Sequence, residues 1–133
     1  MPVTEFSVNT HAGAYDLSAS ARLIGRDLLV AIWGGEKPHI GAVAVAQPRP
    51  SLKNPEITSA SASVICIIGH KEDELAKATA EVLAATLNTR VVVTAGIHWD
   101  NIAAEGIRSV IRNSEILVEM ILDRLAPVFA RLP

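Results

Sequence analysis

Apolar and polar positions alternate along the first third of the chain. Over residues 4–11, Phe6 and Val8 fall on one side and Glu5, Ser7 and Asn9 on the other, the period of a half-buried strand. Tyr15, Leu17, Ala19 and Ala21 then alternate with Asp16, Ser18, Ser20 and Arg22. This predicts a second strand, paired antiparallel with the first across the turn signal His11-Ala12-Gly13. After Gly25-Arg26, residues 28–32 form a continuous apolar run, as expected of a central strand covered on both faces. Residues 27–33 and 41–47 read as third and fourth strands, and the short turns predict a four-stranded antiparallel meander.

The pattern changes at residues 47–59, where Pro48, Pro50 and Pro55 mix with Arg49, Ser51, Lys53 and Asn54. Proline cannot donate to a sheet ladder, so this stretch is expected to be an ordered loop or an edge excursion. A fifth strand follows over residues 60–68, and Gly69-His70 then opens a helix. Glu72, Asp73 and Glu74 suit the positive end of that helix. Its buried stripe is expected to be Leu75, Ala78, Thr79, Val82, Leu83 and Thr86, with Asn88-Thr89 as its end. Residues 91–97 are a β-branched strand. A last helix carries Ile107, Val110, Ile111, Ser114, Leu117, Ile121 and Leu125 on one stripe, widened by Val118 and Leu122, until Pro127 kinks or ends it. So wide a stripe completes the core or packs on a second subunit.

Together these elements predict an α+β fold with a mainly antiparallel sheet of about six strands and two helices. The 133 residues make one domain, 1–133, large enough to fold without disulfides. The net charge of −2 argues against nucleic acid as a partner. No run is long and apolar enough to span a membrane. The first residues carry Glu5 and Asp16 and no apolar block, so no signal peptide is expected and a cytoplasmic location is the default. The single cysteine, Cys66, lies within an apolar run and is expected to be a buried thiol.

The candidate chemistry lies in three loops. Trp33-Gly34-Gly35-Glu36-Lys37-Pro38-His39-Ile40-Gly41 joins the third and fourth strands with more residues than a tight hairpin needs. Gly34 and Gly35 permit close backbone approach, and Pro38 would aim His39. Gly69-His70-Lys71-Glu72 follows the fifth strand, and His98-Trp99-Asp100-Asn101 follows the sixth. If the fourth and fifth strands pair antiparallel, and the segment from 60 to 97 is a crossover unit, the third, fifth and sixth strands end on one edge. His39, His70 and His98 would then meet at one rim, beside two helix N-termini that favour anions.

Such a rim suits several ligands. Three His could hold zinc or iron, although no local spacing marks a metal site. Glycine backbone, Lys37, Lys71 and the helix starts suit a phosphate, with Trp33 or Trp99 against a flat ring. His70 with Glu72, or His98 with Asp100, could form acid/base pairs. For Asp100 and Asn101 there is also the plain role of capping the last helix.

The motifs 34–41, 69–72 and 94–101 together resemble the small LpdD-like prenylated-flavin chaperones associated with gallate-type, UbiD-like decarboxylases. The resemblance implies a homodimer like the proteasome-assembly chaperones. It implies a protein that binds reduced prenylated FMN and hands it to an apo UbiD-like decarboxylase without catalysing the reaction itself. The matching positions become candidate cofactor contacts: Trp33, Gly34, Gly35, Lys37, His39, Gly41, His70, Lys71, His98, Trp99, Asp100 and Asn101. No catalytic residue and no metal ligand is assigned. Two other readings stand beside it: a small metal- or His-dependent hydrolase or lyase, and a decarboxylase assembly subunit with no ligand of its own.

Overall fold

The computed structural model describes residues 5–67 and 72–132. The elements run β1 (Glu5–Asn9), β2 (Leu17–Ile24), β3 (Asp27–Gly35), β4 (Ala42–Pro50), β5 (Thr58–Cys66), α1 (Asp73–Leu87), β6 (Val91–His98) and α2 (Ala104–Phe129). All strands join one sheet in the order β1-β2-β3-β6-β4-β5. Four of its ladders are antiparallel and one, β3 to β6, is parallel. The fold is thus α+β, with six strands and two helices, as the hydrophobic pattern indicated.

The meander breaks after β3, because β6 inserts between β3 and β4. The 36–41 connection is therefore a bridge across a strand and not a hairpin turn. It must span two inter-strand spacings, about 10 Å, which explains its length. The expected directions do hold: β4 pairs antiparallel with both β5 and β6, so β3, β5 and β6 all point to the same edge.

One sheet face carries the core. Leu17, Ala19 and Ala21 of β2, Val30 and Ile32 of β3, and Val91, Val93 and Ala95 of β6 are buried there. Both helices pack on that side, α1 over β4, β5 and β6 and α2 over β2 and β1. Alternate residues on the other face are partly or fully exposed, including Leu29, Val45 and Ile65. The apolar run of β3 is accordingly covered on one face only within this chain.

The stripe of α1 is rotated from the expected one. Ala76, Thr79, Ala80, Leu83, Ala84 and Leu87 are buried, and the alanines let the helix approach closely the equally small Ala42, Ala44 and Ala46 of β4. Leu75, Ala78 and Val82 instead face a groove between the helices. Asn88 ends the helix in a left-handed conformation, φ 52°, as suits a short polar side chain at that position.

Pro48 and Pro50 lie inside β4 after all. There β4 extends beyond its ladder with β6, which stops at Ala46. The bonds Ile67 N to Gly41 O and Ser51 N to Ile57 O set the odd-numbered residues of β4 towards β5. Both prolines are even-numbered, so their missing donors face the open side, where a sheet tolerates them. Cys66 is exposed, not buried: its pairing with Ala42 sets it on the core side, but it is the last residue of the edge strand β5. The last helix starts later than expected. Its N-cap is Ala103, without a side-chain cap, while Asn101 sits in a turn at φ 55°; neither Asp100 nor Asn101 caps it.

Candidate functional site

The parallel ladder between β3 and β6 runs to its last pair, Gly35 and His98. Gly35 has φ 89°, and a Cβ there would lie 2.1 Å from the His98 carbonyl oxygen. That oxygen accepts bonds from Glu36 N at 2.8 Å and Lys37 N at 3.4 Å. The connection then crosses the end of β6. Its His39 carbonyl rests on Gly96, where a Cβ would fall 1.5 Å from the oxygen. Gly35 and Gly96 are therefore explained by the crossing itself.

His39 is held at both ring nitrogens. Nδ1 is 2.8 Å from the Lys37 carbonyl oxygen and Nε2 is 2.9 Å from Glu72 Oε1. The same Glu72 oxygen accepts the Ile97 backbone N–H at 3.2 Å. Glu72 is buried and stands at the N-cap of α1. One carboxylate thus ties together the crossing loop, the end of β6 and the start of α1. Gly41 leaves room for this pair, because a Cβ there would meet Glu72 Oε2 at 2.5 Å and His39 Nε2 at 3.0 Å.

A second cluster lies on the exposed side of the same rim. Asp100 Oδ1 is 2.9 Å from His98 Nε2 and 3.2 Å from Lys37 Nζ. The Asp100 N–H points to Glu36 Oε2 at 3.4 Å. The bond from His98, together with the bond and charge of Lys37, holds the Asp100 carboxyl below its usual value of 3.8. These groups are solvent-exposed, so an anionic ligand could replace Asp100 on Lys37 at small cost, as water and salt already screen the pair.

Next to this rim, α1 and α2 enclose an open groove of about 980 Å³. Trp99 and His98 line it, and its walls are mainly aliphatic. Trp99 also meets Tyr15 edge to face, with ring centres 5.2 Å apart. Asn113 Nδ2 donates to the Tyr15 carbonyl oxygen at 2.8 Å, and Gly106 lets the start of α2 lie directly against the Tyr15 ring. Together these contacts hold the 98–103 loop.

The structure brings Gly34, Gly35, Lys37, His39, Gly41, His98, Trp99 and Asp100 to one rim. Trp33 is not among them. It alternates with Ile32 of the core and stands over Gly96 and Ser18 on the open sheet face, whereas Trp99 packs at the core edge. Asn101 is in the exposed turn beyond. His70 and Lys71 lie outside the described residues. Of the two acid/base pairs, His98 with Asp100 forms; the pair of His70 with Glu72 lies partly outside the described residues, and Glu72 bonds His39. Among the described residues, no three His, Cys, Asp or Glu side chains gather as a metal set, and no helix is long and apolar enough to cross a membrane. Sequence reasoning missed the His39–Glu72 bond, which joins residues far apart in the chain, and Asn113, whose position inside the apolar stripe of α2 was the available signal.

A six-stranded, mostly antiparallel sheet with both helices on one face is also the fold of a chain in the crystal structure of a chaperone complex for yeast 20S proteasome assembly. The two superpose with a TM-score of 0.57 at 15% identity, over 96% of this chain and 98% of that one. The chain therefore has the fold of a proteasome-assembly chaperone. Its own family is narrower. Residues 11–126 match the prenylated flavin chaperone LpdD-like domain, and the chain belongs to that family. It is similar to Protein LpdD of Lactiplantibacillus plantarum, 27% identical over 126 residues that make up 93% of this chain and 89% of that protein.

Proposed function

We propose that this chain, a single α+β domain over 1–133, is a non-catalytic cytoplasmic chaperone for reduced prenylated FMN that delivers the cofactor to an apo UbiD-like aromatic acid decarboxylase. The observation that carries the reading is the family match, which spans both glycine-and-histidine loops of the rim. The residues present fit such a group. Lys37 supplies an exposed cation whose present partner, Asp100, is exchangeable. Trp99 supplies a flat apolar wall at the mouth of the groove. Acids elsewhere along the groove, Glu74, Glu115 and Glu119, repel a phosphate and so favour the orientation with phosphate at Lys37 and ring at Trp99. His98, bonded to Asp100, contacts the same end, and His39 acts through Glu72 to hold the loop in place.

The protein works as a homodimer in this reading. The exposed side of the sheet carries Leu29, Val45 and Ile65 among small neighbours, and two such faces can stack as in a sandwich. That leaves the helix side and the rim outward.

The test is an anaerobic titration of the protein with reduced prenylated FMN, followed by its absorption spectrum. A saturable complex without turnover of an aromatic acid is expected. His98→Ala should weaken the complex while the fold, followed by circular dichroism, stays intact; His39→Ala should weaken it through loop displacement. No complex with this flavin or with FMN removes the ligand from the proposal. Metal-dependent turnover that a chelator abolishes would favour the hydrolase or lyase instead.

A further inference from the structure

The groove between α1 and α2 extends well past the rim. From Ile107 to Leu122, both in its lining, α2 rises about 22 Å, or four helical turns. Along this length Ile107, Ile111 and Val82 are each roughly half exposed, at 48%, 53% and 47%. Ile107, Ile111, Val118 and Leu122 follow one another at spacings that keep them on a single helix face. This is more apolar surface than a flat ring at Trp99 can cover.

The charges are one-sided. Glu74 borders the groove from α1, and Glu115 and Glu119 border it from α2. Among the described residues, none of these three forms an ion pair, and no lysine or arginine lines the groove. Both walls of an apolar trough are thus acidic. An anionic ligand is disfavoured there, and a second copy laid groove to groove would set glutamates against glutamates. The complementary occupant has an apolar stripe at helical spacing flanked by Lys or Arg, the helix-in-groove mode of recognition.

We infer that this groove docks a basic amphipathic helix of a partner protein, about four turns long, while the cofactor is held at the adjoining rim. The inference rests on the chaperone reading only in taking that partner to be the protein that receives the cofactor. It places the receiving chain against the helices, with the groove mouth at Trp99 opening beside it.

The test uses the full chain without cofactor and a labelled 18-residue helical peptide with leucines at i, i+4, i+7 and i+11 flanked by lysines. A second peptide carries glutamates in place of the lysines. By fluorescence anisotropy the lysine peptide should bind at least tenfold more tightly, with the advantage shrinking as salt is raised. Ile111→Ser should weaken it about tenfold, and the double variant Glu115→Lys, Glu119→Lys should reverse the preference. The Ile111→Ser variant should retain flavin binding at the rim. Equal binding of the two peptides, binding of neither, or an unreversed preference overturns the inference. So does a dimer that dissociates in Ile111→Ser by sedimentation, which would make a second copy the occupant. Flavin titration of the unaltered protein is a separate readout, so failure of the cofactor reading and failure of the groove inference are distinguishable.

Discussion

Replacing Gly96 by alanine should act on the rim through backbone alone. The added Cβ would lie 1.5 Å from the His39 carbonyl oxygen, 2.2 Å from its carbon and 3.0 Å from Ile40 N. No rotamer change can relieve a clash with main chain. To reach ordinary contact the crossing loop must retreat by roughly 2 Å. Overpacking of this kind costs about 1–3 kcal/mol, and withdrawing His39 from Glu72 adds about 1–2 kcal/mol. The sum, about 2–5 kcal/mol, is a large part of the stability of a domain this size. With an unfolding entropy near 0.28 kcal/mol/K for such a chain, it corresponds to a fall in Tm of roughly 7–18 °C. Gly25→Ala is the control, because its φ of 62° brings conformational strain but a Cβ there meets nothing within 4 Å; it should cost about 1 kcal/mol. Thermal melts and the ring shifts of His39 measure both effects. If Gly96→Ala melts within about 2 °C of the parent and the His39 signals do not move, the loop does not cross β6 as described, and the structural explanation of the rim glycines fails.

Three further outcomes follow from the same geometry. Asp100 is stabilised as the carboxylate, so its contribution to the fold is present above the usual value of 3.8 and disappears as pH falls through its lower folded value; a carboxyl-detected NMR titration with a midpoint at or above 3.8 would contradict the Lys37–Asp100–His98 cluster. Asn113→Leu removes the buried donor to the Tyr15 carbonyl and should destabilise by about 1–3 kcal/mol, read by denaturant melts; a neutral effect would mean that α2 is not tied to the β1–β2 connection. Val45→Asp places a charge on the open sheet face and, if that face forms the proposed homodimer, should give a monomer in sedimentation without loss of helix signal, whereas an unchanged dimer would move the interface elsewhere.

Strand alternation made β1 and β2 legible with their faces, because a two-residue period translates directly into one buried side. The order of the sheet was less legible. Six residues between β3 and β4 look like a decorated turn until β6 is known to lie between them, and that pairing is set by contacts distant in sequence. The same ambiguity affected the glycines. Gly34 and Gly35 looked open to the close approach of a ligand, and the structure shows that Gly35 first makes room for backbone. Helix periodicity located α1 but misjudged its inner face, since alanines bind closely to a sheet of alanines and leave the larger Leu75 and Val82 for the groove. His98 with Asp100 was readable from their closeness in the chain. His39 with Glu72 was not, because that contact depends on where the crossing loop and the start of α1 meet.

The most direct measurement is an amide map of the isotopically labelled protein under anaerobic conditions as reduced prenylated FMN is added. The account predicts saturable shifts concentrated at Glu36, Lys37, His98, Trp99 and Asp100, with little change over β1 and the hollow of the open sheet face near Ser20 and Ala31. Shifts confined to that hollow, or none anywhere, would contradict a cofactor site at the rim.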